Sequence, residues 1–525
     1  METATLDTLG LAPIDAHLMA IRSANTTVEA ISLQGHRRAA SYRQYLATIF
    51  TLAGHAEVET AIDFVIAFER FNAGVELSKR RLQEAVTPTR LSLSDANASY
   101  PLGLGLPLQG FGFDVHKGCN TTTILLDNHH YYDYLEEILN SAPVDVLKTI
   151  IEYTVLDFNA PFLSTPFVEA WFDFYVMVIY GENKTTTRAT ICRDQVQTSI
   201  GELLGSYYLK EVWTEEIAAR ADSLVLKLKA SFKTGLDSVG WLDDTSRANA
   251  TTKLSKLTHL LGGPKNPKTY PTLTFDPKAY IANLNKVSAF DTAFNLAQID
   301  TAVEKENWDH HAQDANAWHL RATNALEFPA GYLQPPIFDA KADPSANYAA
   351  FGVTISHEIT HAFDSLGRYL DSDGKFNPLW TATVSTTFDE KAKCFIEQYG
   401  SMDIKSELTG DLLGKVNGKL TLTETIADNG ALNAAYRGYQ DYMHAEAEAT
   451  KYTKETGEKM FWIRYGQSWC EKTRDEYLQF LLTNPHPPRR LRLIGAVQNS
   501  VDFAKAFNCP TDSPMNPTKK CVLWE

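Results

Sequence analysis

The sequence predicts a mainly α-helical protein with a small β component, folded as two lobes. The 525 residues are too many for one hydrophobic core, because single cores stop growing at roughly 250–300 residues. Apolar residues recur at helical spacing through most of residues 1–260. Strand-like runs appear only after the densest group of chain breakers, Gly262-Gly-Pro-Lys-Asn-Pro-Lys-Thr-Tyr-Pro271. This group is therefore the best candidate for the connection between the lobes.

The individual elements follow from the spacing of apolar residues. Four helices are predicted in the first half of the chain, at Tyr42–Leu52, Val58–Phe71, Tyr131–Leu139 and Val144–Tyr153. Leu102–Leu108 is predicted to be a loop because Gly and Pro interrupt it. Later in the chain we predict strands at Ala325–Phe328 and Gly331–Leu333, then helices near residues 350–366 and 423–443. The predicted lobes are residues 1–270 and 271–525.

Composition and charge narrow the classes of function. The chain has 49 Lys and Arg against 64 Asp and Glu, a formal net charge of −15, which argues against a nucleic-acid partner because such proteins present a basic face. No uncharged apolar run reaches the ~18 residues of a membrane span, and Met1-Glu2-Thr3 does not begin a signal peptide. None of the six cysteines forms a C-x-x-C pair, so a structural zinc finger is not predicted.

The motif that carries chemistry is His357-Glu-Ile-Thr-His361. On a helix, a step of four residues turns the side chain by only about 40°, so both imidazoles lie on one face. That spacing lets them bind one zinc ion, with Glu358 free to act as general base. The plainer interpretation is a helix with surface His and Glu. A buried helix, whose polar groups need partners, is favoured by its apolar residues Phe351, Val353, Ile355, Ile359 and Phe363.

A zinc site of this kind needs a third protein ligand. The residues alone leave three candidates by type, namely Asp364, Asp371 and Glu424. Asp364 lies three residues after His361, on nearly the same helix face, so it could orient an imidazole instead of binding the metal.

The spacing after the second His excludes some zinc peptidases. One group needs Gly and His three and six residues later, where this chain has Asp364 and Gly367. Others have a Glu farther along, at positions that Trp380 and Thr381 occupy here. The spacing therefore excludes these groups of zinc peptidases.

A second segment, Glu424-Thr-Ile-Ala-Asp428, resembles the E-x-x-x-D signature of the neprilysin and endothelin-converting enzyme family of zinc metallopeptidases. Further segments resemble the family in the same order: Val239–Thr245, Asn316–Trp318, Phe328–Pro336, His357–Asp364, Phe461–Cys470, Asn484–Ser500 and Met515–Trp524. The resemblance implies a two-lobed zincin fold. A thermolysin-like catalytic domain would comprise residues 271–525, and a helical covering lobe residues 1–270.

The resemblance implies one Zn²⁺ per chain, bound by His357, His361 and Glu424. Glu358 would be the general base. Asp364 and Asp428 would support the ligands from behind, with Asp428 counted among the residues that catalysis needs.

Other positions match residues that contact the substrate. Asn316 and Ala317 would hydrogen-bond the substrate backbone, His486 would stabilise the oxyanion, and Arg492 would hold a substrate carbonyl. The S1′ pocket would be lined by Tyr332, Ile337, Val353, Thr354 and Trp469. The implied activity is hydrolysis of small peptides on the amino side of hydrophobic residues.

The resemblance implies an extracellular or secretory location, where five sequons would be glycosylated (Asn25, Asn97, Asn120, Asn183 and Asn249). The start at Met1 without a targeting signal favours a partial gene product of a longer secreted or membrane-anchored enzyme. A separate alternative is a non-catalytic zinc-containing homologue that acts as a binding or structural protein. Intact Glu358 and His486 argue against it. The oligomeric state and the physiological peptide do not follow from the sequence.

The chain departs from the family in its cysteines and at one site residue. By family position, Cys394 should pair with Cys521, leaving Cys192, Cys470 and Cys509 without their usual mates. Cys119 matches no family cysteine, and a Cys119–Cys192 pair is an alternative. Asn484 stands where the family commonly has Asp, two residues before His486. Because Asn has no charge to favour the imidazolium, we expect an acid-shifted optimum or weaker oxyanion stabilisation.

Overall fold

The computed structural model describes residues 28–75, 88–116, 122–182, 184, 187–299, 301–445 and 451–524. These residues form a mainly helical protein, as predicted, with short strands. The helices are α1 (Val28–Ala53), α2 (Val58–Val75), α3 (Leu93–Ser99), α4 (Leu106–Gly110), α5 (His129–Ser141), α6 (Val144–Asn159), α7 (Thr165–Trp171), α8 (Arg188–Val212), α9 (Glu215–Ser238), α10 (Asp244–Lys256), α11 (Tyr280–Leu296), α12 (Pro344–Asn347), α13 (Val353–His361), α14 (Ala382–Gly400), α15 (Leu422–Ala445), α16 (Lys454–Ser468), α17 (Asp475–Leu481), α18 (Arg489–Asn499) and α19 (Val501–Ala506).

The strands are β1 (Thr89–Ser92), β2 (Thr123–Leu126), β3 (Thr258–Gly262), β4 (Trp318–Leu320), β5 (Ala325–Pro329), β6 (Asp403–Lys405) and β7 (Leu412–Lys415). Three π-helical stretches (Pro101–Gly105, Phe172–Ile179 and Tyr348–Gly352) and two 3₁₀ turns (Ala160–Phe162 and Gly367–Tyr369) adjoin the helices. All four helices predicted in the first half of the chain are present and longer than predicted: α1 begins 14 residues earlier, at Val28, and the other three extend by two to six residues at one or both ends.

Contacts divide the chain into two compact units. The first takes in the chain up to Thr185 together with Asp276–Asn283 and Arg474–Thr483. The second takes in Thr186–Phe275, Leu284–Thr473 and Asn484–Glu525. Residues 186–270, which we assigned by sequence to the helical lobe, thus pack with the second unit. That residues 271–525 form the catalytic domain, and residues 1–270 a separate lobe, stays a prediction.

The first unit is built around apolar faces of α1, α2 and α6. Leu46, Ile49 and Phe50 on α1 are fully buried against Ile62 of α2, which is the helical spacing that predicted these elements. The predicted loop at Leu102–Leu108 was wrong, since this stretch is helical. The carboxylate of Glu136 accepts hydrogen bonds from the backbone N–H groups of Leu102 and Gly103 (3.1 and 2.7 Å), which satisfies donors that the first turn of a helix leaves free.

The second unit contains a three-stranded sheet in the order β3-β5-β4. β3 and β5 are parallel, and β4 pairs with β5 in antiparallel register from Trp318–Glu327 to Leu320–Ala325. The predicted strand Ala325–Phe328 is confirmed as β5. The predicted strand Gly331–Leu333 was wrong: Tyr332 and Leu333 donate their backbone N–H to Pro329 O (3.0 and 3.2 Å), so the chain turns where β5 ends.

Helices α13 and α15 form the centre of the second unit. A side chain at Gly430 on α15 would meet Thr360 Cγ2 of α13 at 2.8 Å, so glycine allows the two backbones to approach closely. The helix predicted near 423–443 is confirmed as α15. The helix predicted near 350–366 ends earlier, at His361, after a π-helical first turn.

The second unit begins before residue 270 because α9 also packs on α15. Ser231 Oγ donates to Ala434 O (2.7 Å), and Arg437 donates back to Ser231 O (2.8 Å). A disulfide joins Cys394 on α14 to Cys521 near the C-terminus, as the family position implied.

Cys192, Cys470 and Cys509 are free thiols, while Cys119, and with it the alternative Cys119–Cys192 pair, lies outside the described residues. Within the described part of the chain, no single helix has both the length and the hydropathy to cross a membrane; one pair bent by 101°, Val144–Phe162 with Thr165–Ile179, meets that criterion on length and composition only.

Candidate metal centre

Two imidazoles on α13 point toward each other. His357 and His361 lie one helical turn apart, and their Nε2 atoms are 3.0 Å from each other. Their rings cross nearly at right angles, with centroids 4.5 Å apart. The four-residue spacing therefore brings both Nε2 atoms to one point in space, as the motif predicted.

The third predicted ligand comes from α15. Glu424 Oε2 is 3.4 Å from His357 Nε2, and Glu424 Oε1 is 3.7 Å from His361 Nε2. The three ligand atoms all lie within 4.8 Å of one another, and all three side chains are at most 12% exposed. We call His357, His361 and Glu424 the buried cluster.

The other two candidates for third ligand lie elsewhere. Asp371 accepts the backbone N–H groups of Asp373 and Lys375 in a tight turn (2.9 and 3.1 Å). Asp364 lies on the far side of His361 from Glu424, where it could orient the ring, the alternative that the sequence left open.

Each imidazole is held from behind by a carboxylate. His357 Nδ1 is 3.0 Å from Asp428 Oδ1, and His361 Nδ1 is 2.7 Å from Asp364 Oδ2. A donor bond from Nδ1 leaves the lone pair of Nε2 on the metal side and fixes the ring orientation. The donor set of two imidazole nitrogens and one carboxylate oxygen is one that zinc favours. The residues present therefore fit a zinc ion.

Burial works against ionised carboxylates here, yet the cluster keeps them ionised. Burial alone would raise the pKa of Asp428, but Arg492 and the hydrogen bond with His357 lower it to about 2. Burial would likewise raise the pKa of Glu424, but nearby His361 and bonds with His357 and His486 hold it well below its usual value. Burial lowers the pKa of His357, and Asp428 and Glu424 outweigh this and raise it to about 10. The pocket is thus built to hold positive charge.

Arg492 makes an ion pair that we did not predict. Its Nε and Nη2 donate to the two oxygens of Asp428 (2.8 and 2.7 Å), and Nη2 is 3.5 Å from Glu424 Oε2. The guanidinium also stacks 4.7 Å over the ring of Trp469. A bidentate pair of this kind is strong and directional, so Arg492 fixes the carboxylate that fixes His357. Its predicted contact with a substrate carbonyl stays a prediction.

His486 stands at the open side of the buried cluster. Its side chain is 50% exposed, and its Nε2 is 3.2 Å from Glu424 Oε2. Asn484 Oδ1 accepts both the backbone N–H of His486 (2.9 Å) and its ring Nδ1 (3.0 Å). The amide thus holds the ring by a hydrogen bond without adding a charge.

Glu358 is 7% exposed and lies near the predicted S1′ residues. Burial raises the pKa of Tyr332, and the nearby charge of Glu358 adds to this rise. Tyr332 and Thr354 are joined through their hydroxyls (2.8 Å). Of the other predicted pocket residues, Val353 is buried next to Thr354, Trp469 lies under Arg492, and Ile337 accepts the backbone N–H of Phe351 (3.2 Å).

Asn316 and Ala317 immediately precede β4. This strand pairs only with β5 among the described strands, so its outer edge has free backbone groups. Asn316 is exposed and Ala317 is buried. An extended peptide could pair with such an edge through main-chain hydrogen bonds.

The structure also contains an exposed cluster, which the sequence analysis did not single out. His129, His130 and Asp133 at the start of α5 have ligand atoms within 4.8 Å of one another, and all three are exposed. His130 Nδ1 is 3.6 Å from Asp133 Oδ2. The hydroxyl of Tyr100 donates to Asp133 Oδ1 (2.8 Å).

Several known proteins are similar to this chain in sequence. Two sequence profiles of peptidase family M13 match residues 30–264 and 316–523. Endothelin-converting enzyme 1 of Bos taurus is 28% identical over 498 residues, which cover 92% of this chain and 65% of that protein. Neprilysin-2 of Drosophila melanogaster is 31% identical over 417 residues, covering 75% of this chain and 53% of that protein. The chain thus spans just under two thirds of the length of the first of these relatives.

Solved structures share the fold. The zinc metalloprotease Zmp1 of Mycobacterium tuberculosis, in complex with an inhibitor, superposes with a TM-score of 0.84 at 24% identity, covering 94% of this chain and 75% of that one. PepO of Lactobacillus rhamnosis superposes with a TM-score of 0.83 at 23% identity, covering 98% of this chain and 78% of that one. These likenesses support the predicted two-lobed zincin fold. Because the family profiles match well over half of its residues, the chain belongs to peptidase family M13.

Proposed function

We propose that this protein is a zinc-dependent peptidase that hydrolyses small peptides. The observation that carries the proposal is the convergence of His357, His361 and Glu424, each imidazole backed by its own carboxylate, beside a buried Glu358. Structural ion pairs rarely need two adjacent imidazoles with their Nε2 atoms turned to one point. Zinc peptidases need that arrangement.

The roles of the side chains follow from their positions. Zinc held by the buried cluster would polarise the scissile carbonyl and lower the pKa of the attacking water. Glu358 would take a proton from that water and later pass it to the leaving amine. His486, with Nδ1 bound to Asn484, would donate from Nε2 to the developing oxyanion in its protonated form. Losing one such donor typically costs about 10²–10³ in turnover.

The substrate would lie along the free edge of β4. Its backbone would pair there with Asn316 and Ala317, and Arg492 would hold a carbonyl beyond the scissile bond with donors not used by Asp428. The predicted S1′ pocket around Tyr332, Val353 and Trp469 would accept a hydrophobic side chain. Cleavage would then occur on the amino side of hydrophobic residues.

We further propose an extracellular or secretory location. The relatives named above include an endothelin-converting enzyme and a neprilysin, and the Cys394–Cys521 disulfide is a bond that persists in oxidising compartments. Peptides in that compartment would be the substrates.

The test is Glu358→Gln in the full chain. Glutamine keeps the shape of the side chain but cannot accept the proton, so peptide cleavage should fall by about 10²–10⁴-fold while one zinc per chain is retained. Cleavage of quenched-fluorescent peptides and metal content by mass spectrometry measure the two effects. Chelation should abolish wild-type cleavage, and added zinc should restore it. A Glu358→Gln variant that cleaves at the wild-type rate would refute the mechanism, and a wild-type protein that binds zinc but cleaves no peptide would favour the non-catalytic alternative.

A further inference from the structure

One fully buried cation lies behind the metal centre and takes no part in the mechanism above. Lys253 on α10 is 1% exposed. Its ammonium donates to three backbone carbonyls, those of Ala362, Gly367 and Leu370, each at 2.8 Å. No described carboxylate lies within ion-pair distance of it.

Burying an ammonium without a carboxylate partner is costly. Burial lowers the pKa of Lys253 to about 8, although Asp364 acts in the opposite direction. The ammonium has three donors, and three carbonyls satisfy all of them. Such a costly arrangement calls for a compensating gain.

The ammonium of Lys253 stabilises the C-terminal end of α13, the helix that carries His357 and His361. Ala362 is the residue that follows the last turn of α13, where carbonyls lack helical partners and the helix dipole attracts a cation. The other two carbonyls belong to the turn that follows. Lys253 therefore ties the end of α13 to the next eight residues of chain.

That stretch of chain carries Asp364. Asp364 Oδ2 holds His361 Nδ1 (2.7 Å), and Oδ1 accepts the backbone N–H groups of Leu366 and Gly367 (2.8 and 2.6 Å). Gly367 thus gives its N–H to Asp364 and its carbonyl to Lys253. A Cβ at Gly367 would clash with His361 O and Ala362, so the turn is compact and has little freedom.

We propose that Lys253 is a positioning residue for the metal site: by fixing the turn at residues 362–370, it sets the carboxylate that orients His361. The inference rests on the proposed function only in taking His361 as a zinc ligand. It extends the site to a helix that lies more than a hundred residues earlier in the chain.

The experiment replaces Lys253 by Met in the full chain and measures zinc affinity by chelator competition. The control is Lys229→Met, because Lys229 is a half-buried lysine that donates to a single backbone carbonyl, Leu257 O (2.5 Å), which lies outside the turn at residues 362–370. Loss of a group that orients a ligand typically weakens metal binding by about 10–100-fold. We expect that loss in K253M and no change beyond about twofold in K229M.

An effect of the substitution on folding must be distinguished from an effect on the metal site. Zinc affinity is therefore compared with stability of the metal-free protein toward urea. A purely structural role would lower stability and leave the zinc affinity of the folded fraction unchanged, which would overturn the proposal. If K253M yields no folded protein, K253R decides: its planar fork cannot serve three converging carbonyls as an ammonium does, so an unchanged zinc affinity there would also overturn it.

A double variant tests the route through Asp364. If Lys253 acts by positioning Asp364, K253M should weaken zinc binding little further once Asp364→Asn has been made, because coupled residues are not additive. Two independent multiplicative losses would contradict the proposal. Failure of the proposed function can be distinguished from failure of this proposal, because the wild-type chain itself would then lack zinc binding or cleavage.

Discussion

The buried cluster and the exposed cluster contain similar side chains at similar distances, yet their surroundings differ. In both, two imidazoles and a carboxylate bring ligand atoms within 4.8 Å of one another. The buried cluster joins two helices, and each of its imidazoles is held by a separate carboxylate. The three residues of the exposed cluster all lie near the N-terminal end of one helix, α5. Its supporting bond is from Tyr100 to Asp133, and its imidazoles are adjacent in sequence.

The imidazoles of the two clusters lie at different helix ends, although Glu424 of the buried cluster lies in the first turn of α15. His361 lies in the last turn of α13, where a positive charge is favoured, whereas His129 and His130 open α5, where it is disfavoured. From this comparison we expect that ligand spacing alone does not make a metal site. What distinguishes the buried cluster is rings held in place, ionised carboxylates behind them, and a field that favours a cation.

The largest expected effect comes from removing a ligand of the buried cluster. His361→Ala should abolish zinc binding at micromolar metal and with it peptide cleavage. The loss in affinity should exceed the ~10–100-fold typical of losing an outer partner, because one of three protein ligands is gone. Metal content after gel filtration, together with a cleavage assay, measures this.

The control for that variant is His444→Ala, an exposed histidine at the end of α15 that does not belong to either cluster. It should bind zinc like the wild type. If His361→Ala still held one zinc per chain at wild-type affinity, the metal would have to bind elsewhere. The buried cluster would then not be the zinc site.

A smaller effect is expected from the carboxylate behind His357. Asp428→Asn keeps a hydrogen-bond acceptor for His357 but removes the charge and leaves Arg492 without its bidentate partner. We expect zinc affinity to fall by about 10–100-fold and cleavage to fall as well, recovering only in part at saturating zinc because Arg492 is no longer held. The corresponding change in the exposed cluster, Asp133→Asn, should leave the zinc affinity of the buried cluster unaltered. Equal affinities in Asp428→Asn and the wild type would show that the supporting carboxylates are not what distinguishes the clusters.

Sequence reasoning predicted the pairing of His357 and His361 from their local spacing, whereas Glu424 came only from the family resemblance. Two imidazoles four residues apart share a face on any helix, and the resemblance at Glu424 to Asp428 supplied the partner helix. The turn after His361 was not predicted in this way. It depends on Lys253 from α10 and on the close packing of Gly367, and neither contact can be read from the local sequence. A helix drawn from apolar spacing therefore ran on to residue 366.

The errors in the fold have the same cause. Leu102–Leu108 has the Gly and Pro content of a loop, but Glu136 supplies the hydrogen bonds that let it form helix. The packing of residues 186–270 with the second unit likewise depends on distant residues, since Ser231 on α9 bonds Ala434 and Arg437 on α15. In each case a contact between distant residues outweighs the local preference.

At the open side of the buried cluster, Asn484→Asp should produce a modest change. The new carboxylate would lie about 3 Å from His486 Nδ1 and favour the protonated ring by its charge. We therefore expect the high-pH limb of the pH profile of kcat/KM to move upward by about one unit. A profile that does not move would show that the ring's charge does not limit the reaction, and the departure from the family at this position would have no catalytic consequence.

The smallest effect is expected from His130→Ala in the exposed cluster. The imidazole is 66% exposed, and its contact with Asp133 is a long one at 3.6 Å, so its loss should change stability by less than about 0.5 kcal/mol. The affinity and stoichiometry of tightly bound zinc should stay at the wild-type values, since α5 opens with its positive end toward the cluster. Calorimetric titration of the metal-free variant and wild type with zinc makes the comparison. The contrary result would be a second tightly bound zinc ion in the wild type that is lost in His130→Ala. It would mean that ligand spacing is enough to bind zinc without supporting carboxylates, so the exposed cluster would also be a metal site.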